Sequence, residues 1–211
     1  MLASLQRVQL VAGRSLCEPG ERVRDVYFPI DSFITLITPI RPHSQVEVGL
    51  VGSEGMLGIS LALGVGTSPL RGVVQGAGCA WRLDAAGFRR LLAHSPALQK
   101  VLNRYLYVTL GQLAQTAACT RFHVVEARLA RWLLMTRDRG HSSDLRITHQ
   151  FLAYMLGVRR VGITRAASSL QRRKLIRYAR GELAIIDGRG LEQAACSCYA
   201  ADRQLYASVF G

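Results

Sequence analysis

The stretch from Ile147 to Ile186, ITHQFLAYMLGVRRVGITRAASSLQRRKLIRYARGELAII, constrains the fold more than any other. Thr148 offers a hydroxyl that can accept from an orphan backbone N–H at a helix start. Leu152, Ala153 and Leu156 then give a short apolar face. Gly157 follows, and glycine tolerates the positive φ that stops a helix. A second helix is expected from about Arg159, with Ile163, Ala166 and Leu170 at spacings of three and four. Ala153 is small enough to let that helix approach, and Leu152, Leu156, Val158, Ile163 and Ala166 supply an apolar lock. Two short helices joined through a glycine turn form a helix-turn-helix, whose second member lies in a DNA major groove. Leu175-Ile176 and RYARGELAII predict a hairpin turning at Arg180-Gly181, which makes the motif winged.

The second helix opens with Arg159-Arg160 and carries Arg165 further on, and arginines so placed can reach guanine O6 and N7, or phosphate. The rival is an ordinary two-helix packing motif with solvated arginines. Charge decides between them. The chain has 27 Lys and Arg against 14 Asp and Glu, a net +13. Residues 121–190 hold 15 of the basic residues and 5 of the acidic ones, whereas residues 1–120 hold 11 and 7, and the tail from Leu191 holds 1 and 2. The excess coincides with the motif, as binding to a polyanion requires.

Of the 211 residues, 49% are hydrophobic, enough to bury a core and to exclude a disordered chain. The five cysteines are Cys17, Cys79, Cys119, Cys196 and Cys198. Their odd number, with no signal-peptide pattern over residues 1–12, predicts a reduced cytoplasm. No run of about 18 apolar residues suggests a membrane span.

Between about Leu16 and Leu83, the runs VYFPI, SFITLI, VEVGLV and GVVQ are β-branched and aromatic, and turn residues bound them. Many short strands predict a sandwich, roll or barrel. Gly49, Gly52, Gly55 and Gly58 are expected to be tight turns. Without a following Lys-Ser or Lys-Thr they do not form a nucleotide-hydrolysing loop. Asp84–His94 is expected to be a short helix capped by Asp84. Ser95-Pro96 opens a longer one, to about Thr120. It carries two apolar stripes: Leu102, Leu106, Leu110, Leu113 and Ala117, and Leu98, Val101, Tyr105 and Val108. A helix apolar over so wide an arc needs two partners: one stripe can lie on its own β-domain and the other can meet the same helix of a second subunit, the alternative being a buried core helix in a monomer. Leu98, Val101, Leu102 and Tyr105 are the candidate dimer residues. Glu126–Thr136 is a further amphipathic helix, and residues 137–144 read as a polar linker.

Taken together, the chain resembles the Crp/Fnr family of bacterial transcription regulators over about Leu16–Asp187. The likeness is most specific in ITHQFLAYMLGVRRVGITRAASSLQRRKLIRY, which follows the family pattern Thr-x-Gln, Leu-Gly, Arg-x-x-x-x-Arg, Leu-Ile. It implies an α+β chain with an N-terminal β jelly-roll domain of cyclic-nucleotide-binding type over 1–95. A dimerisation helix would span 96–122 and a winged helix-turn-helix domain 123–211. It places Gln150 on a phosphate, and Arg160 and Arg165 where the family's recognition arginines read guanine. Val161 stands where the family often has Glu. It cannot accept from cytosine N4 but can touch a thymine methyl. On the effector side Gly58 matches, Ile59 replaces the glutamate that takes a ribose hydroxyl, and Arg71 aligns with the phosphate arginine if one residue is inserted. The polar pair that reaches adenine falls at Leu113 and Ala114, so a purine edge would be left unpaired. Cyclic AMP is therefore not the expected effector, and a cyclic dinucleotide is the alternative anion for Arg71.

Cys17 alone cannot supply the four-cysteine cluster of the iron–sulfur branch. His43, Cys79 and His94 are remote candidates for haem. Cys196-x-Cys198 is too short to close a zinc site alone, and His123, His141 and His149 show no metal spacing, so no metal and no cofactor is expected. The resulting expectation is a homodimeric, sequence-specific regulator of transcription that binds a palindromic operator and acts with RNA polymerase. Arg160, Val161 and Arg165 would read bases. Gln150, Arg159, Arg172, Arg173, Lys174, Arg177 and Arg180 would hold the backbone. Gly58, Ile59, Arg71 and Leu113 would line an effector pocket. Two alternatives are an RNA- or protein-binding module with a vestigial ligand domain, and a nucleotide-handling enzyme. A comparison of duplex DNA with RNA tests the first, and a turnover assay tests the second. The chain carries no nucleophile–base set or paired carboxylates to support the enzyme.

Overall fold

A computed structural model describes residues 5–41, 44–140 and 142–211. His43 and His141 lie outside them. The chain divides into two compact units, one of Met1–Thr38 with Val48–Leu110 and one of Pro39–Glu47 with Gly111–Gly211.

The first unit is built on antiparallel strands, although the facing ends of two of them, within residues 39–47, belong to the second unit. β1 (Gln6–Leu10), β7 (Gly78–Asp84) and β3 (Asp25–Pro29) form one sheet in that order, and β2 (Ser15–Cys17), β6 (Arg71–Gly76), β4 (Phe33–Arg41) and β5 (Ser44–Val51) form the other. Alternation along these strands sends Leu10, Ile34, Val51, Val74 and Ala80 into a shared core with Tyr27 and Leu57. This is the expected β-roll. β1 and the full length of β7 extend it beyond the predicted strands, because GCAWRLD mixes polar and apolar residues without a β-branched run.

One of the four spaced glycines is not a turn, since Gly49 lies inside β5. Gly55 closes one by donating its N–H to the Gly52 carbonyl at 3.1 Å. At Gly55 an added Cβ would fall 2.2 Å from the Tyr105 hydroxyl, so the residue also permits a close approach. α1 (Ala85–Ala93) starts as expected, with the Asp84 carboxylate accepting from the Gly87 N–H at 2.8 Å. α2 (Pro96–Phe122) runs on into the second unit, which takes over from Gly111.

The second unit is mainly helical: α3 (Val125–Gly140), α4 (His149–Leu156), α5 (Arg160–Arg172), α6 (Gly188–Ala194) and α7 (Cys198–Phe210). α3 extends four residues past the expected Thr136, so much of the predicted linker is helix, and β8 (Asp144–Arg146) follows it. β8, β10 (Glu182–Ile185) and β9 (Ile176–Ala179) make a small sheet in that order. Leu129, Leu133 and Leu134 of α3, Leu152 of α4, and Ile163 and Leu170 of α5 are fully buried. Each such side chain contributes about 1.5–3 kcal/mol by leaving water.

Candidate nucleic-acid interface

α4 and α5 meet as the local signals predict. Thr148 Oγ1 accepts from the Phe151 N–H at 3.1 Å and caps α4. Gly157 ends the helix at φ 62°, ψ 40°, in the left-handed region. Val158 N–H then reaches back to the Ala153 carbonyl at 3.0 Å, the reverse bond of a Schellman stop. Arg159 is extended and its carbonyl accepts from Gly162 N–H at 2.8 Å, which opens α5.

At about 100° per residue, α5 has two opposed faces. Ile163, Ala166, Ala167 and Leu170 are buried on one. Arg160, Val161, Thr164, Arg165, Ser168 and Arg172 are exposed on the other. Val161 keeps 55% of its surface in water, an unusual place for a β-branched residue unless something apolar meets it.

The hairpin turns where expected. Ala179 pairs with Glu182, leaving Arg180 (φ 51°) and Gly181 (φ 84°) as the two-residue loop, both in the left-handed region that a type I′ turn needs. His149 ties the pieces together. Its ring stacks on Tyr178 of β9 at 4.4 Å, and its Nδ1 lies 3.1 Å from Thr164 Oγ1 of α5. Tyr178 in turn donates to the Ile147 carbonyl at 2.9 Å. Burial first, then the positive charge of Arg160, holds the His149 imidazole below its ordinary range, so the ring is neutral at pH 7.

Residues 127–194 match the family model of the Crp-like helix-turn-helix domain. That segment is a Crp-like helix-turn-helix domain. The whole chain shares its fold with solved regulators. One is FixK2 from Bradyrhizobium japonicum, 10% identical over 91% of this chain and 98% of that one, with a TM-score of 0.75. Another is a putative transcriptional regulator of the Crp/Fnr family from Eubacterium rectale, 16% identical over 90% and 89%, with a TM-score of 0.72. A third is the c-di-GMP responsive global regulator CLP from Xanthomonas campestris, 18% identical over 87% and 95%, with a TM-score of 0.70. No curated protein matches the chain by sequence.

Around the exposed face of α5, Gln150, Arg159, Arg172, Lys174, Arg177 and Arg180 are all exposed. Arg173 is exposed as well, but its guanidinium pairs with Glu126 at 2.8 Å. Lys174 follows α5 at φ 59°, where it stops the helix without a glycine.

The candidate dimer residues of α2 divide. Leu102 and Tyr105 are buried within the chain, Leu98 is half-buried and Val101 is exposed. A different face of the same helix stands free of the chain's own core: Tyr107, Leu110, Ala114, Ala117 and Phe122 are exposed at spacings of three to five.

The effector-side residues are less open. Arg71 Nε bonds Glu18 Oε2 at 2.7 Å, and Ser15 donates to the other oxygen of Glu18. Burial works to raise the Glu18 carboxyl, but Ser15 and Arg71 outweigh it and hold it below its usual range. Gly58 sits at φ 91°, and an added Cβ would lie 3.0 Å from Val26 Cγ1. Ile59 opens a 3-10 turn, Ile59–Leu63. Gly72, in place of the family's serine, has the Leu57 side chain 2.9 Å from where its Cβ would be. Leu113 is half-buried and belongs to the second unit. Among the haem candidates, Cys79 donates to Gln9 at 3.3 Å and His94 Nδ1 lies 2.7 Å from the Arg90 carbonyl.

Spacing along the chain showed no metal constellation, yet folding gathers one set of potential ligands. Cys119 and His123 of α2 meet Cys196 and Cys198 at the α6–α7 corner, with all four donor atoms within 4.8 Å of one another. The readable signal was Cys119 and His123 at i and i+4. Their partners lie more than seventy residues away, which no local pattern reports.

Proposed function

We propose that the chain is a homodimeric, sequence-specific DNA-binding regulator of transcription, organised as a β-roll effector-type domain (1–95), a dimerisation helix (96–122) and a winged helix-turn-helix domain (123–211). One observation carries this reading: the exposed face of α5 bears Arg160, Val161 and Arg165 together, opposite a fully apolar buried face. In this reading Arg160 and Arg165 take guanine edges and Val161 meets a thymine methyl. Gln150, Arg159, Arg172, Lys174, Arg177 and the wing-tip Arg180 hold phosphates, and Arg173 joins them if it leaves Glu126. The free α2 face of Tyr107, Leu110, Ala114, Ala117 and Phe122 supports pairing with the same helix of a second copy. Two recognition helices then enter successive major grooves of a palindromic site. Such a regulator acts in the cytoplasm with RNA polymerase as partner. Among the described residues no helix is long and apolar enough to cross a membrane.

The effector is not cyclic AMP in this reading. Ile59 removes the ribose acceptor, Leu113 and Ala114 offer adenine no hydrogen bond, and Arg71 is already engaged by Glu18. A cyclic dinucleotide, the ligand named for the Xanthomonas campestris regulator, is the anion to test first.

The deciding experiment selects bound sequences from random duplex DNA, with duplex RNA as the control. Recovery of one inverted-repeat sequence supports the reading. Equal binding to RNA removes it, because an A-form major groove is too narrow for α5.

A further inference from the structure

Cys119, His123, Cys196 and Cys198 take no part in the proposed reading surface, yet they converge from two segments of the second unit that lie more than seventy residues apart. Cys119 and His123 share one face of α2. Cys196 precedes α7 and Cys198 opens it. The three cysteines are buried and the histidine is half-buried. Cys119 Sγ lies 3.5 Å from Cys196 Sγ, and Cys198 Sγ lies 3.4 Å from His123 Nδ1.

We propose that these four side chains form a closed, structural site for a single zinc ion. Tetrahedral zinc, with Zn–S about 2.3 Å and Zn–N about 2.0–2.1 Å, sets its sulfurs about 3.8 Å apart and sulfur and nitrogen about 3.6 Å apart. The Cys119–Cys196 and Cys198–His123 edges fall within a few tenths of an ångström of those values. Three soft thiolates and an imidazole favour zinc over magnesium, calcium or manganese. Four donors within 4.8 Å of one another enclose one ion and leave no space for a multi-iron cluster. With all four ligands from the protein, no position stays open for a reacting water, which makes the site structural.

The surroundings fit the charge of such a site. Three thiolates and a neutral imidazole around a divalent ion leave one negative charge. Two buried arginines, Arg128 and Arg131, lie within electrostatic reach of Cys119 and Cys196. Arg131 is paired with Asp202 at 2.7 Å, whereas Arg128 donates to the neutral carbonyl of Leu156 and so keeps a charge to offset. Gln115 Nε2 donates to Cys198 Sγ at 2.9 Å, the kind of outer contact that orients a thiolate ligand. A buried cysteine can also be a mere small hydrophobe. Such packing does not explain a ring nitrogen and three sulfurs gathered within 4.8 Å, with two of the edges near tetrahedral length.

The ion would fasten the α6–α7 corner to the end of α2. α3 packs against both α6 and α7 and also carries α5, so the fastening stands behind the recognition helix. The proposal goes beyond DNA reading and does not depend on it, since its readouts are metal uptake and melting.

The test uses the full chain, reduced, stripped with a chelator and titrated with Co²⁺ and then Zn²⁺. One equivalent of Co²⁺ is expected to give thiolate-to-metal charge-transfer absorption and tetrahedral visible bands. Zn²⁺ should displace it and raise Tm. Cys198→Ser and His123→Gln should each weaken uptake at least about tenfold, while Cys79→Ser should not. Circular dichroism confirms that each variant is folded, and His123→Gln, at a half-buried position, keeps the test usable if Cys198→Ser is not. Failure of the reduced wild-type chain to take up either ion overturns the proposal. So does equal uptake by the His123→Gln variant, or, on addition of a disulfide oxidant such as oxidised glutathione, a Cys119–Cys196 disulfide that forms as fast with Zn²⁺ as without it.

Discussion

The two units carry arginines in opposite situations. Arg71 in the β-roll is engaged by Glu18 at 2.7 Å, and a side chain added at the neighbouring Gly72 would run into Leu57. Arg160 and Arg165 in the Crp-like domain project from an exposed helix face whose opposite side is wholly apolar. An arginine that faces a carboxylate in its own chain must leave it before binding an anion, and that exchange weakens net affinity. An arginine displayed in water has only its hydration to exchange. The difference separates arginines open to an incoming anion from one whose nearest anion belongs to its own chain.

Single substitutions sharpen this contrast, the largest expected effect first. Leu170→Ala, at a fully buried position on α5, should cost about 2–5 kcal/mol of the stability of the DNA-reading unit. Chemical denaturation would show it, and a loss under about 1 kcal/mol would mean that α5 is not held as described. Arg160→Ala or Arg165→Ala should cost about 1–3 kcal/mol on the selected duplex and relax base preference at one position of each half-site. Arg71→Ala should leave duplex affinity unchanged. A gel shift on all three breaks the comparison if Arg71→Ala behaves like Arg160→Ala. Arg180→Ala, at the wing tip, should weaken every sequence alike and lower the salt slope by about 1.

Legibility from sequence divides along the same line. The helix-turn-helix was readable because its determinants are local: the Thr148 cap, the Gly157 stop, the stripe Ile163, Ala166 and Leu170, and the Arg180-Gly181 turn. The β-roll was readable as a class, but β1 and most of β7 were not, since their registers depend on pairing partners about seventy residues away. On α2, periodicity showed an arc wide enough for two partners. It could not say that Leu102 and Tyr105 turn inward while Leu110 keeps 67% of its surface exposed. The C-terminal helices escaped because Cys196 and Cys198 read as tail residues until α2 was folded against them.

The smallest effect concerns pH and distinguishes the units by window. Burial and Arg160 hold His149 below its ordinary value, and its Nε2 is buried with no hydrogen-bond partner among the described residues. In the unfolded chain the ring gains a proton near about pH 6.5, whereas the folded ring resists until a lower pH. The unfolded state thus binds more protons, and stability rises with pH across that interval. The contribution of His149 is fully present above about pH 6.5 and fades as pH falls toward the folded value. Glu18 in the β-roll has the same sign but a lower window, since its depressed carboxyl matters only below the ordinary glutamate range. His149→Phe keeps a ring against Tyr178 and removes the proton site. Its Tm should approach that of the wild type, or exceed it, as pH falls from about 7 to about 5. A Tm gap that stays constant across that range would assign His149 to packing and remove the pH distinction between the units.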